Sequence, residues 1–164
     1  MTFSAFSASS AVNYNENSSL QKKGGSIMPN YKVTEIEGIG DVYSAKLEQA
    51  GIKTVNDILE KGKSVKGRKA LAESTGIDAK LILKWVNMGD LFRVKGIGKE
   101  YSELLEKAGV DTVKELRNRN PENLLAKLEE ANSSGRQLVR ALPGLKSVAS
   151  WIETAKTLDP MVTY

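Results

Sequence analysis

The stretch "IEGIGDVYSAKLEQAGIKTVNDI" (36–58) is written a second time, little changed, as "VKGIGKEYSELLEKAGVDTVKEL" (94–116). Aligned at that spacing, residues 36–59 and 94–117 agree at 11 of 24 positions, among them Gly38, Ile39, Gly40, Tyr43, Leu47, Gly51 and Thr54 with their counterparts. Identity this dense at a fixed offset predicts a duplicated structural unit, so the fold must be something that can be built twice. Two copies are too few for a solenoid. The chain divides into one unit at 30–89 and another at 90–158, with residues 1–27 ahead of them and a tail at 159–164.

Each copy opens on a short apolar turn, Val33 and Ile36 or Leu91 and Val94, that leads into Gly-Ile-Gly. Tyr43, Leu47 and Ala50 then share one face of a helix, as do Tyr101, Leu105 and Ala108. Gly51 and Gly109 stand where a helix C-terminal glycine belongs. Thr54-x-x-Asp57 and Thr112-x-x-Glu115 have the pattern of capping boxes that start a connector helix. Beyond it, "GRKALAESTGIDAKLILKWVNM" reads as helix, turn at 75–78, helix. In the second copy Asn120-Pro121 starts a helix to about Asn132, a polar loop follows, and Leu142-Pro143-Gly144-Leu145 turns into a last helix. Trp85 and Trp151 align at an offset of 66 rather than 58, which places eight additional residues in the loop at 133–140. No segment alternates convincingly as a strand. The predicted fold is all-α, two tandem units of two hairpins each, joined by a connector helix. The junction "VNMGDLFRV" is too short and apolar for a free linker, so the units should touch.

Composition narrows the chemistry. The chain has no cysteine, which excludes disulfides, thiolate metal sites and thiol catalysis and suits a reducing, cytoplasmic compartment. It has no histidine either, which removes the commonest general base and metal ligand. Acidic pairs such as Glu129-Glu130 are adjacent on a helix and do not face each other, so no hydrolase constellation emerges. No apolar run approaches the roughly 18–20 residues of a membrane helix. The expectation is a non-enzyme with no cofactor, no metal and no membrane. Lys+Arg exceed Asp+Glu by 24 to 20, and without His or Cys so small an excess is enough to bring the pI to 9.2. Where the charge sits therefore matters more than its sum.

Residues 1–27, rich in Ser and Asn, show no periodicity and lack the charged and apolar regions of a secretory signal. One expectation is a disordered tail. The other starts from Lys22-Lys23-Gly24-Gly25, which a purine run containing GGAGG can encode. Such a run is a bacterial ribosome-binding site just upstream of Met28, which would make Met28 the native start. Codons without that string would exclude it.

An apolar residue, x, Gly-apolar-Gly and then a small residue on the following helix occur as Ile36-x-Gly38-Ile39-Gly40 with Ser44, and as Val94-x-Gly96-Ile97-Gly98 with Ser102. This resembles the helix-hairpin-helix family, with Ser in place of the more usual Ala. "AGIKTVNDIL" is similar to its counterpart in the C-terminal domain of the RNA polymerase alpha chain, and about 32–157 resembles an uncharacterised bacterial family with tandem helix-hairpin-helix units. The resemblance implies that backbone N–H groups of the two turns grip opposing strands of nucleic acid across a minor groove. Such contacts are independent of base sequence.

The flanks separate the copies. Glu35, Glu37 and Asp41 surround the first Gly-Ile-Gly and disfavour a phosphate there. Arg93, Lys95 and Lys99 surround the second, Gly96-Ile97-Gly98, with Ile97 anchoring the loop. Arg136, Arg140 and Lys146 lie near its paired turn at Gly144. The second unit is thus the expected nucleic-acid clamp, neutralising about four phosphates, and the first a structural or protein-binding duplicate. Lys63, Lys66, Arg68, Lys69 and Gly76 form a further candidate phosphate contact, weighed against a simple solvated face. The expected partner is DNA, duplex or branched, with RNA the other nucleic-acid candidate. A protein-assembly scaffold that binds no nucleic acid is the alternative.

Overall fold

The computed structural model of the protein describes residues 21–23, 26–28 and 30–164. Among the described residues eight α-helices fill the body, in chain order α1 (Asp41–Gln49), α2 (Val55–Gly62), α3 (Val65–Thr75), α4 (Ala79–Leu91), α5 (Lys99–Lys107), α6 (Val113–Leu116), α7 (Pro121–Ser133) and α8 (Leu145–Thr157). The body is all-α, as the motifs predict. Ahead of it β1 (Gln21–Lys23) and β2 (Ser26–Met28) pair antiparallel, Gln21 opposite Met28, in a segment with no strand signal. Apart from these strands, the expectations about 1–27 lie outside the described residues. No helix among the described residues is long and apolar enough to cross a membrane.

The repeat is visible in the helix ends. After α1 the Ile52 N–H donates to the Leu47 carbonyl and the Gly51 N–H to that of Glu48; after α5, Val110 donates to Leu105 and Gly109 to Glu106. These are paired Schellman closures, and they need left-handed residues, which Gly51 (φ 84°) and Gly109 (φ 93°) supply. The Thr54–Asp57 capping box is complete, each side chain accepting from the other's backbone N–H. Its counterpart is half built. Thr112 Oγ1 accepts from the Glu115 N–H at 3.4 Å, while the Val113 N–H is taken by Asp90 of α4.

Two cores result. Ile36, Ile39, Leu47, Val55, Ile58, Leu71, Ile82 and Trp85 build the first, and Val94, Ile97, Leu105, Val113, Leu128, Val148 and Trp151 the second. α4 ends between them, with Met88 and Phe92 in the first and Leu91 in the second, so no linker separates the units. In each unit the tyrosine of the first helix meets the tryptophan of the last, at 5.0 Å for Tyr43–Trp85 and 5.2 Å for Tyr101–Trp151. Those aromatics are packing groups.

Residues 159–164 are not a free tail. They return onto the first unit, where Val162 enters the core and the Thr163 N–H donates to the Lys63 carbonyl at 2.8 Å. The Tyr164 hydroxyl donates to Asn87 Oδ1 at 3.0 Å. Arg68 adds a further hold on the tail. Only 6% exposed, it donates to the Gly62 and Thr163 carbonyls at 2.9 and 2.6 Å. It is therefore a buried clasp and not the phosphate contact expected from its lysine-rich surroundings.

Candidate nucleic-acid interface

Helix N-termini carry unpaired N–H groups, and in this fold they are treated in two ways. Five helices are capped by a side chain: α2 by Thr54, α3 by Ser64, α4 by Asp78, α6 by Thr112 and α7 by Asn120. The other three, α1, α5 and α8, begin on Gly40, Gly98 and Gly144 with no side chain over their first turn. The fold does not impose glycine at these three positions. Their φ values are −93°, −119° and −76°, and a Cβ added to any of them would meet nothing within 4 Å. Glycine here leaves a helix N-terminus open, where the N–H groups and the helix dipole favour an anion.

The preceding glycine of each corner is different in kind. Gly96 has φ 98°, and its added Cβ would lie 2.9 Å from Trp151 Nε1; Gly38 has φ 96° and Trp85 Nε1 at 3.3 Å. Both positions favour glycine for the backbone, and at Gly96 the clash with Trp151 adds a requirement for space. Gly96 and Lys95 are exposed, and Ile97 is buried in the second core as the anchor of the loop. The Tyr101 hydroxyl donates to the Ala141 carbonyl at 3.1 Å, which brings the turn before α8 beside the start of α5. Both open N-termini of the second unit thus belong to one neighbourhood.

Several expected site residues are placed elsewhere. Arg93 is 5% exposed and donates to Asp90 Oδ1 at 2.8 Å, so it belongs to the seam between the cores and not to the corner. Burial holds the Asp90 carboxyl above its ordinary value, against the smaller opposing pull of Arg93 and the Val113 N–H. Gly76 ends α3 in the left-handed region at φ 74°, and its N–H is used by the Ala72 carbonyl. The next helix is closed by the Asp78 carboxylate, which accepts from the Lys80 N–H at 3.0 Å. The second turn of unit one therefore presents an acid where that of unit two presents an open terminus. Lys63 pairs with Glu60 at 3.1 Å, while Lys66 and Lys69 are exposed on α3.

The acidic and basic corners face each other. Lys99 Nζ lies 3.5 Å from Glu37, Arg136 Nη2 lies 2.8 Å from Glu103, and Lys84 Nζ lies 3.7 Å from Glu106. Glu37, Lys84, Glu103, Glu106 and Arg136 border a cleft of 330 Å³ between the units, lined also by Lys107 and Leu138. Burial first, then the charge of Glu37, raises the Glu103 carboxyl from its ordinary value. In the sequence Glu37 and Lys99 flank separate corners; the residues that reveal the seam, Glu103 and Glu106, carry no local motif. Of the six cations expected around the second unit's turns, Lys95, Arg140 and Lys146 are exposed and have no ion-pair partner among the described residues. No group of three or more carboxylates among the described residues is placed to hold a metal ion.

No curated protein and no solved structure matches this chain. A family model does, over residues 37–158, which takes in both glycine corners and all eight helices. The chain belongs to the family described as Domain of unknown function (DUF4332).

Proposed function

We propose that the protein binds the phosphate backbone of nucleic acid, DNA in duplex or branched form, without reading its sequence, and that the second unit makes the contact. The two Gly-Ile-Gly corners are on this reading helix-hairpin-helix corners, of which the second is the working one. The observation that carries the proposal is the contrast among helix starts. Five of eight are closed by a side chain, and the three left open begin on glycines that neither the backbone nor the packing requires. Two of the three, at Gly98 and Gly144, are neighbours and stand among Lys95, Arg140 and Lys146, cations without an ion-pair partner among the described residues. The third, at Gly40, has Glu35 and Asp41 exposed beside it, which oppose a phosphate. With Val42 68% exposed on the same turn, that corner is better suited to a protein partner.

Three free cations, not four or more, set the expected salt response. Neutralising about three phosphates gives a slope of about −2.7 in log affinity against log salt, a loss of about fortyfold between 50 and 200 mM. Titration of a labelled duplex across that range measures it. Lys95→Glu/Lys146→Glu should flatten the slope to about −1 and weaken low-salt binding by about tenfold or more. Equal affinity of variant and wild type would remove these lysines from the site. No binding to duplex, junction or single strand at low salt would favour the protein-scaffold alternative.

Glu37 competes with phosphate for Lys99. Glu37→Gln should therefore tighten binding by about two- to fivefold, the scale of one exposed ion pair, and steepen the salt slope by about 0.9. The same titration reads both, and weaker binding in this variant would contradict the assignment.

A further inference from the structure

Two of the six large apolar side chains exposed among the described residues are Leu142 and Leu145, at 39% and 42%, on either side of Gly144. The turn that presents them is held firmly. Pro143 between them is buried, Tyr101 bonds the Ala141 carbonyl, and Val148 one turn further on is fully buried. The fold does not need leucine there. At the offset of 66 that superposes Trp85 on Trp151, the positions of Leu142, Gly144 and Leu145 are held in unit one by Gly76, Asp78 and Ala79. The same turn closes around a buried Ile77 in the place of Pro143. Unit two has exchanged an acid cap for an open glycine and small residues for two exposed leucines. Arg140 and Lys146, exposed and without ion-pair partners among the described residues, bracket them. An apolar pair flanked by two free cations complements a ligand that is a polyanion outside and apolar within, which describes nucleic acid entered through its minor groove.

Resting on the reading above, we propose that Leu142 and Leu145 form an apolar wedge that enters the minor groove beside the phosphate contacts and makes the site prefer duplex whose stacking is already interrupted. Opening a base step in an intact duplex costs a few kcal/mol, and a nick, gap or branch has already removed that cost. The wedge thus turns a contact blind to base sequence into one that selects DNA structure.

The test compares wild type with Leu142→Ser/Leu145→Ser, each titrated against an intact labelled duplex and the same duplex with a one-nucleotide gap. Circular dichroism checks the fold, and Leu142→Met/Leu145→Met serves as the apolar control. Wild type and the Met variant should favour the gapped duplex by at least about tenfold, since relief of even half the stacking cost gives that much. The Ser variant should bind both alike, with the salt slope unchanged. Binding of both duplexes with a ratio near one in wild type, or a preference that survives in the Ser variant, overturns the wedge alone. No binding to either duplex overturns the wedge, and if junction and single strand are also left unbound it overturns the nucleic-acid reading with it. Sedimentation showing a wild-type dimer that the Ser variant loses would overturn the wedge by assigning the leucines to a second copy of the chain.

Discussion

Asp90→Ala is expected to lower stability by about 4 kcal/mol, seen as a fall of about 8–16 °C in the midpoint of thermal unfolding. Asp90 is 1% exposed in the last turn of α4 and has both carboxylate oxygens occupied. Oδ1 accepts from Arg93 Nη1 at 2.8 Å, and Oδ2 accepts from the Val113 N–H at 2.9 Å, at the start of α6. One side chain thus ties the last helix of the first unit to a helix start of the second. Arg93 is buried as well, and its Nη2 has no hydrogen-bond partner. Truncation would leave a guanidinium charge without its counter-ion and a helix N–H without an acceptor, in a place water reaches poorly. Asp90→Asn keeps an acceptor for Val113 and should lose about half as much. Replacing both partners by apolar residues, Asp90→Leu/Arg93→Met, should recover most of the loss. Circular dichroism during heating reads all three. A shift under about 2 °C for Asp90→Ala would mean that the seam draws its stability from elsewhere.

That pair also marks the reach of sequence reasoning. The duplication, the glycine closures after α1 and α5 and the Thr54 capping box are local patterns, legible from spacing alone. Arg93 lies two residues from Lys95, and proximity in sequence groups it with the corner. Its neighbours Leu91, Phe92 and Val94 are all core residues, however, and Asp90 stands three positions earlier, a spacing that suits a buried pair. Arg68 falls in with Lys66 and Lys69 for the same reason, whereas the tail that buries it lies 95 residues away. Gly76 resembles the hairpin glycines in sequence, although Thr75-Gly76 just before a new helix is equally a C-terminal cap. The Glu37–Lys99 contact joins the two copies, and no pattern within one copy can show it.

The distinction between capped and open helix starts is only half legible. Gly98 and Gly144 stand out in the sequence, but so does Gly96, and only the backbone separates their roles. Gly96 is held by φ and by Trp151, whereas a Cβ added at Gly98 or Gly144 meets nothing within 4 Å. Converting the open starts into closed ones therefore separates folding from binding, which charge reversal at lysines cannot do.

In Gly98→Asp/Gly144→Asp, each new carboxylate would accept from first-turn N–H groups, as Asp78 does on α4. Aspartate is at least as good an N-cap as glycine, so the thermal midpoint should hold or rise by a few tenths of a kcal/mol in stability. Binding should respond in the opposite sense. Each site would lose a helix-terminus contribution of about 0.3–1 kcal/mol and gain a like charge facing the phosphate, roughly a tenfold loss per site. Gly40→Asp, on the acidic corner, should leave affinity unchanged. The decisive measurement is the dissociation constant of a labelled duplex for wild type and the double variant at low salt, beside their melting curves. The account predicts an affinity lower by about a hundredfold at an unchanged or higher midpoint. Undiminished affinity in a folded double variant would contradict it.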